Sequence, residues 1–202
     1  AQIELAPVAV NRIVQQVVDL TRARWSDMSL QQGIVIHAVT DLPADVPDIM
    51  GVESEIREAL TNLVLNAVDA MPEGGTLTLR TRRAGAGAQD ASVVLEVCDE
   101  GLGMDEETRR RCLEPFFTTK GERGTGLGLA MVFGTMQRHS ADLEIDSVPG
   151  RGTTVRLVFA VPAELAAEAE PRISAGLAPS RLRLLVIDDD PVLLKSLRDA
   201  LE

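Results

Sequence analysis

The chain has 202 residues, of which 45% are hydrophobic and 2% aromatic, and its formal net charge at pH 7 is -11. This length allows one ordinary domain plus an appendage, with a core built mainly from Leu, Val, Ile and Ala. The acidic charge argues against a nucleic-acid surface, and no apolar run approaches the roughly 20 residues that cross a bilayer.

The first half of the chain alternates helical and extended patterns. Residues 7–25 are predicted to form a helix because their valine and isoleucine residues recur on one helical face. Residues 33–39 are a predicted strand, and the His37 inside it is expected to be structural. Residues 41–51 are predicted to be a loop, since they contain Pro43 and Pro47.

Residues 58–70 are the stretch around which the rest of the chain is organised. On a helix of about 100° per residue, a polar stripe within about 80° of the circumference contains Glu58, Asn62, Asn66 and Asp69. Most other positions are Leu, Val or Ala, so the helix should be buried on most sides and should end near Pro72. The stripe is either a solvated edge or the lining of a ligand pocket, and its paired asparagines favour the pocket.

The rest of the chain reads as a mixed succession of strands and helices. Strands are predicted at 76–83, 92–98, 142–146 and 153–161, and helices at 105–113 and 127–138. This succession predicts a sheet with helices on one face. Residues 162–180 are rich in Ala, Glu and Pro and are expected to be an exposed linker.

Three further segments contain residues suited to bind a ligand. Segment 99–103 (Asp-Glu-Gly-Leu-Gly) follows a strand, so its Asp could accept a hydrogen bond from a ligand amine, or the segment is a plain turn. Segment 124–130 (Gly-Thr-Gly-Leu-Gly-Leu-Ala) opens a helix and is either an anion site or a flexible hinge. In segment 115–120 (Pro-Phe-Phe-Thr-Thr-Lys), the aromatics either clamp a mobile loop or join the core, and Lys120 could reach a terminal phosphate.

Five segments, taken in chain order, resemble the N, G1, F, G2 and G3 boxes of the GHKL ATPase superfamily: the polar stripe of 58–70, segment 99–103, segment 115–120, segment 124–130, and Gly-Arg-Gly-Thr-Thr at 150–154. Over about residues 5–162 the chain resembles the catalytic ATP-binding domain of sensor histidine kinases, and the run 62–75 is similar to nitrogen-regulator-type and hybrid kinases. The resemblance implies a two-layer α/β sandwich, a mixed sheet with helices on one face. It also implies ATP and Mg²⁺ as cofactors and transfer of the γ-phosphate to a histidine.

The resemblance assigns roles to individual residues. Asn66 would bind Mg²⁺ through its carbonyl oxygen, Asn62 would support the phosphates or the metal water shell, and Asp99 would accept the adenine amino group. The remaining nucleotide contacts would come from Gly101, Gly103, Met104, Lys120, Gly124, Thr125, Gly126, Leu127, Gly128, and Thr153 or Thr154. Residues 115–124 would form the ATP lid. Hydrolytic relatives have a general-base Glu where this chain has Asn62, and Glu58, one turn away, is a weaker candidate base.

The resemblance also divides the chain into three parts. Residues 1–162 would be the catalytic ATP-binding domain and residues 163–181 the linker. Residues 182–202 resemble the incomplete start of a receiver domain, in which Asp188 and Asp189 would be Mg²⁺-site acids, the alternative being a solvated acidic turn. The first residue is not Met, and we expect a fragment of a longer protein.

Neither His37 nor His139 has the sequence context of an acceptor helix. The implied partners are therefore a histidine-containing dimerisation domain outside this chain and a receiver domain or response regulator, with no nucleic acid and no membrane contact. The two cysteines lack metal-type spacing, and the first residues given lack the basic start and apolar run of a signal peptide, so we expect a cytoplasmic location. Alternatives are a degenerate nucleotide-binding or interaction module and a Ser/Thr kinase of the anti-sigma-factor type.

Overall fold

The computed structural model describes residues 5–85, 90–121 and 124–168, with backbone only at residue 24 and at 26–32. The described elements in chain order are β1 (Ala6–Val8), α1 (Val10–Gln32), β2 (Ile36–Asp41), β3 (Ile49–Gly51), α2 (Glu53–Asp69), β4 (Gly75–Ala84), β5 (Ser92–Asp99), α3 (Glu106–Arg111), α4 (Gly128–Arg138), β6 (Asp142–Val148), β7 (Gly152–Ala160) and α5 (Ala163–Glu168). No helix in these ranges is long and apolar enough to cross a membrane.

The main sheet has five strands in the order β2-β4-β5-β7-β6. Strand β2 runs parallel to β4, whereas the other three pairings are antiparallel. Helices α1, α2 and α4 pack on one face of this sheet, where the inward side chains of alternate strand residues meet them. The buried strand residues on this face include Leu77, Leu79, Leu95, Leu157 and Phe159. The predicted fold class, a mixed sheet with helices on one face, is confirmed.

Helix α2 is the predicted central helix. Its apolar side is fully covered by the sheet and by the neighbouring helices, and the buried residues are Ile56, Ala59, Leu60, Leu63, Val64, Ala67 and Val68. The helix ends at Asp69, three residues before the predicted breaker Pro72. This packing fixes the rotation of α2, so its polar stripe is held at the edge of the core.

The start of α2 is held by the end of α4 through His139. The imidazole Nε2 accepts a hydrogen bond from the Val52 N–H at 2.9 Å, and Nδ1 lies 2.8 Å from the Thr135 carbonyl oxygen. Because Nε2 is the acceptor, the proton lies on Nδ1 and is donated to Thr135. One ring nitrogen of this buried histidine therefore joins the two helices, and the other fixes the ring against α4.

Three predicted boundaries are wrong. Helix α1 begins at Val10 rather than at Pro7 and continues to Gln32. Pro7 lies in β1, which pairs with β3 inside the predicted loop 41–51. A proline is tolerated in such an edge strand, and the pairing buries Val8 and Ile49. Strand β2 is displaced toward the C-terminus from the predicted 33–39, because its parallel register with β4 starts at Ile36.

The predicted linker needs one correction at its start. Residues Ala163–Glu168 form the short helix α5, and Ala166 is completely buried against the core. The remaining linker residues and the receiver-like segment, including Asp188 and Asp189, lie outside the described residues. The predictions for that segment stay predictions.

A ladder of alternating charges crosses the sheet face opposite helices α1, α2 and α4. Arg80 donates to Asp41 at 2.9 Å and to Glu96 at 3.1 Å, and Arg156 donates to the other oxygen of Glu96 at 2.8 Å. Arg156 also pairs with Asp146 on the edge strand β6. The side chain of Glu96 is 10% exposed and accepts from both guanidinium groups, which makes it the centre of the ladder.

We expect Glu96→Gln to lower the free energy of unfolding by about 1–1.5 kcal/mol, because the two arginines donate to separate carboxylate oxygens, and the amide replaces one of these oxygens with an uncharged NH₂ donor. Glu144→Gln is the matched control, since Glu144 is 59% exposed and 3.9 Å from Arg156, and its loss should stay within about 0.5 kcal/mol. Urea unfolding of both variants measures the difference. Equal losses would contradict a central role for Glu96.

Candidate functional site

A cavity of about 440 Å³ lies between helix α2, the adjoining ends of β5 and β7, and the segment before α4. This volume is within the usual range of roughly 300–1,000 Å³ for small-molecule sites. The predicted site residues that line it are Asn62, Asn66, Asp99, Gly103, Met104, Lys120, Gly124, Thr125, Gly126, Gly128 and Thr153. Gly101, Leu127, Thr154 and Glu58 do not line it.

Asp99 ends strand β5 and presents one free oxygen to the cavity region. Its Oδ1 accepts hydrogen bonds from the Gly101 N–H at 2.9 Å and from the Thr153 N–H at 3.2 Å. Its Oδ2 accepts no hydrogen bond from any residue that the structure describes. Burial raises the pKa of the Asp99 carboxyl, and the two backbone hydrogen bonds partly oppose that rise. The carboxyl is therefore rigidly oriented, with one acceptor left for a ligand.

Gly101 does not line the cavity, but it allows the Asp99 segment to pack closely against the end of helix α2. The following residue, Leu102, donates its N–H to the Ala70 carbonyl at 2.9 Å, just past the end of α2. A Cβ at position 101 would overlap that same carbonyl oxygen. The close approach therefore requires glycine, and it fixes segment 99–103 against helix α2.

The alternation of side chains along strand β7 determines which of Thr153 and Thr154 lies at the cavity. Successive side chains of a strand point to opposite faces of the sheet, so only one of the two can lie at the cavity. Thr153 lines the cavity, and its hydroxyl is 2.9 Å from that of Ser147. Thr154 lies on the opposite face, where its hydroxyl donates to the Cys98 Sγ at 3.3 Å. The alternative prediction for Thr154 is not supported by this placement.

The polar stripe of α2 divides between two cavities. Asn62, Asn66 and Asp69 line the large cavity, in agreement with a pocket-lining stripe. Glu58 instead lines a separate cavity of about 310 Å³ between α2 and α4, which Asn62 and Leu127 also border. The candidate base Glu58 is therefore placed away from the large cavity, because it lies about 6 Å before Asn62 along the helix axis.

Lys120 joins the loop before α4 to the polar stripe. Its ammonium donates to Asn66 Oδ1 at 3.2 Å and to Asp69 Oδ2 at 3.0 Å. The backbone N–H of Lys120 is itself held by the Thr118 hydroxyl at 3.1 Å. The helical period placed Asp69 in the polar stripe predicted to line a pocket, but no individual role was predicted for it.

The two phenylalanines of the predicted lid have different environments. Phe117 lines the cavity, and the Arg111 guanidinium lies 4.4 Å from its ring centroid. Phe116 is 76% exposed, and its N–H donates to the Gly126 carbonyl at 2.9 Å. The loop is therefore joined to the glycine segment through backbone, with one aromatic ring packed beneath it.

The apolar part of the cavity, apart from Met104, was not predicted, although Leu63 and Leu129 lie within the segments quoted above. These wall residues include Leu63, Val97, Cys112, Leu129 and Val155. Several also belong to the core or pack against it, and hydrophobic patterning cannot separate a core residue from a pocket wall.

The donor set fits a magnesium nucleotide. Asn66 offers a hard carbonyl oxygen, and the described residues contain no cluster of three or more His, Cys, Asp or Glu that could hold a metal. Mg²⁺ is commonly held by one or two protein oxygens together with substrate phosphates, so an all-protein cage is not required. The backbone N–H groups at the start of α4 suit phosphate oxygens, and Asp99 suits a ligand amine.

The fold and cavity define a ligand-binding two-layer α/β sandwich, and the comparison with known proteins gives its family. The family described as "Histidine kinase-, DNA gyrase B-, and HSP90-like ATPase" matches residues 51–163. The chain belongs to this family.

The curated relatives include two named kinases. "Sporulation kinase E" of Bacillus subtilis (strain 168) is 32% identical over 152 residues, which cover 75% of this chain and 19% of the relative. "Sensor kinase CckA" of Brucella abortus (strain 2308) is 37% identical over 166 residues, which cover 71% of this chain and 17% of the relative. The chain thus spans less than a fifth of the length of these relatives.

Solved structures agree on the fold. The catalytic domain of histidine kinase ThkA superposes with a TM-score of 0.67 at 22% identity, covering 80% of this chain and 99% of that one. Full-length ShkA in complex with AMPPNP gives a TM-score of 0.65 at 27% identity, covering 80% of this chain and 33% of that one. The similarity extends over most of the residues described above.

Proposed function

We propose that this chain is the ATP-binding catalytic core of a sensor histidine kinase. It holds Mg·ATP while a histidine on a separate dimerisation helix attacks the γ-phosphate. The observation that carries the proposal is the arrangement of the cavity, with the free Asp99 oxygen in one part of its lining and Asn66 and Lys120 in another. The kinase names of the relatives support the same reaction class.

This proposal gives a task to each of the predicted polar residues that line the cavity. Asp99 Oδ2 accepts the adenine amino group, with Thr153 and Met104 beside the base. Asn66 holds Mg²⁺ through its carbonyl oxygen, and Asn62 supports the phosphates or the water shell of the metal. Lys120 and the N–H groups of residues 124–128 contact the phosphates. When bound, Mg²⁺ would neutralise part of the negative charge of the phosphates.

The phosphoryl acceptor is proposed to lie outside the described residues. Both ring nitrogens of His139 are already hydrogen-bonded within the fold, and His37 lies on strand β2 of the sheet. Glu58 borders the smaller cavity, so we assign no general base. Little activation of water suits transfer to an imidazole better than hydrolysis. The proposed partners are therefore a histidine-containing dimerisation domain and, after it, a receiver domain or response regulator.

Phosphoryl transfer from γ-labelled ATP tests this function. The chain is assayed alone and with the histidine-containing dimerisation helices of its parent protein added. We expect label only with the added segment, and the label should be lost in acid and survive base, as for phosphohistidine. The Asn66→Ala variant, which lacks the proposed metal ligand, is the control and should give no label.

Two other results would contradict the proposal. Acid-stable label would indicate a hydroxyl acceptor and favour the Ser/Thr kinase alternative. Absence of label in a chain that binds Mg·ADP would favour a nucleotide-binding module that docks on a partner.

A further inference from the structure

We propose that Asp69 is a positioning residue that holds the Lys120 ammonium beside Asn66. The pair would set the net charge of the part of the cavity in which the phosphates are proposed to bind. The inference rests on the proposed function and adds to it a residue for which neither the predicted site residues nor the family resemblance gave a role. Asp69 and Lys120 would act as one charge pair, with the lysine facing the terminal phosphate.

The contacts place the pair where the phosphates are proposed to bind. The Lys120 Nζ lies 3.0 Å from Asp69 Oδ2 and 3.2 Å from Asn66 Oδ1, so the ammonium bridges the carboxylate and the proposed metal ligand. All three residues line the large cavity. The side chains of Lys120 and Asp69 are 37% and 34% exposed, so solvent screens the pair only in part.

The charge of Asp69 makes Lys120 necessary at this position. Asp69 lies one turn after Asn66 on the same helical face, so its carboxylate is close to any phosphate that a metal on Asn66 would hold. A carboxylate there repels a terminal phosphate unless a cation compensates it. Whatever else contacts Asp69, loss of the Lys120 ammonium leaves this carboxylate less compensated.

Removal of Lys120 should therefore weaken ATP binding for two reasons. One attraction to the phosphate is lost, and one repulsion from Asp69 is gained. The second effect disappears when Asp69 is also made neutral. A double variant should then bind ATP better than the Lys120 single variant, which is the reverse of what two independent favourable contacts would give.

Calorimetric titration with Mg·ATP and with Mg·ADP tests this proposal on the unmutated chain, Lys120→Ala, Asp69→Asn and the double variant. We expect Lys120→Ala to weaken ATP binding about tenfold and ADP binding less, because the terminal phosphate faces the pair. Adding Asp69→Asn to Lys120→Ala should restore about threefold of the ATP affinity. Asp69→Asn alone should weaken ATP binding by a smaller factor than Lys120→Ala.

Glu73→Gln is the matched control, because it removes one carboxylate four residues further along, on an exposed residue that lines neither cavity. Combined with Lys120→Ala it should restore nothing. A double variant that binds ATP no better than Lys120→Ala would overturn the role of Asp69. Loss of all Mg²⁺-dependent binding in Asp69→Asn alone would overturn it too, by making Asp69 a metal ligand. Failure of the unmutated chain to bind either nucleotide would instead overturn the proposed function.

Discussion

Replacing Asp99 with Asn is expected to weaken the binding of adenine nucleotides by about 1.5–3 kcal/mol, the range for a hydrogen bond to a charged group. The amide oxygen can still accept the two backbone N–H groups that Oδ1 now accepts, so the turn should survive. The amide NH₂ then replaces Oδ2 and presents a donor to the adenine amino group, which is also a donor. The variant should therefore lose nucleotide affinity and keep its folding stability.

Isothermal titration with ADP and GDP checks this prediction. Because an amide donor suits a purine with a carbonyl oxygen at the 6-position, the variant should lose its preference for ADP over GDP. Asp105→Asn is a suitable control, since Asp105 caps helix α3 outside the cavity and Asn caps a helix equally well. Unchanged ADP affinity in Asp99→Asn would remove the adenine assignment.

The raised pKa of Asp99 should also make ADP binding depend on pH, because protonation removes the charged acceptor just as Asp99→Asn does. Burial raises this pKa, so the carboxylate is protonated at a less acidic pH than an ordinary aspartate. ADP affinity should accordingly fall as the pH is lowered through that raised value.

Gly152→Ala is expected to destabilise the fold by about 2–5 kcal/mol, the sum of left-handed backbone strain and a steric overlap. Gly152 has a φ of +86°, and a Cβ there would overlap the Asp99 carbonyl oxygen. Strands β5 and β7 meet at this point, so relief of the overlap would move Asp99 and Thr153 together. The substitution should therefore reduce ADP binding as well as stability.

The same turn provides the matched variant. Gly150 has a φ of +72° but nothing within 4 Å of an added Cβ, so Gly150→Ala should cost only the strain, about 1–2 kcal/mol. Urea unfolding of the two variants separates overlap from strain. Equal losses of stability in the two variants would show that the overlap with the Asp99 carbonyl adds nothing to the backbone strain.

The site could be predicted from the sequence where its geometry is local. The helical period alone placed Asn62 and Asn66 on one face, because neighbouring turns of a helix align residues three and four apart. Asp99 became a candidate because it directly follows an apolar strand and precedes glycines, and its adenine role came from the family resemblance. The pairing of β1 with β3 was not predicted, since it joins residues more than 40 positions apart and has no local signal.

The sequence by itself determined the family resemblance, the fold class and the order of the binding segments. Only the tertiary structure decided which of Thr153 and Thr154 lies at the cavity, that Glu58 borders a different cavity, and that Asp69 contacts Lys120. The physical reason is that local periodicity gives the relative direction of side chains along one element. Which face an element turns toward its neighbours, and where a loop returns, depends on packing among residues distant in the chain.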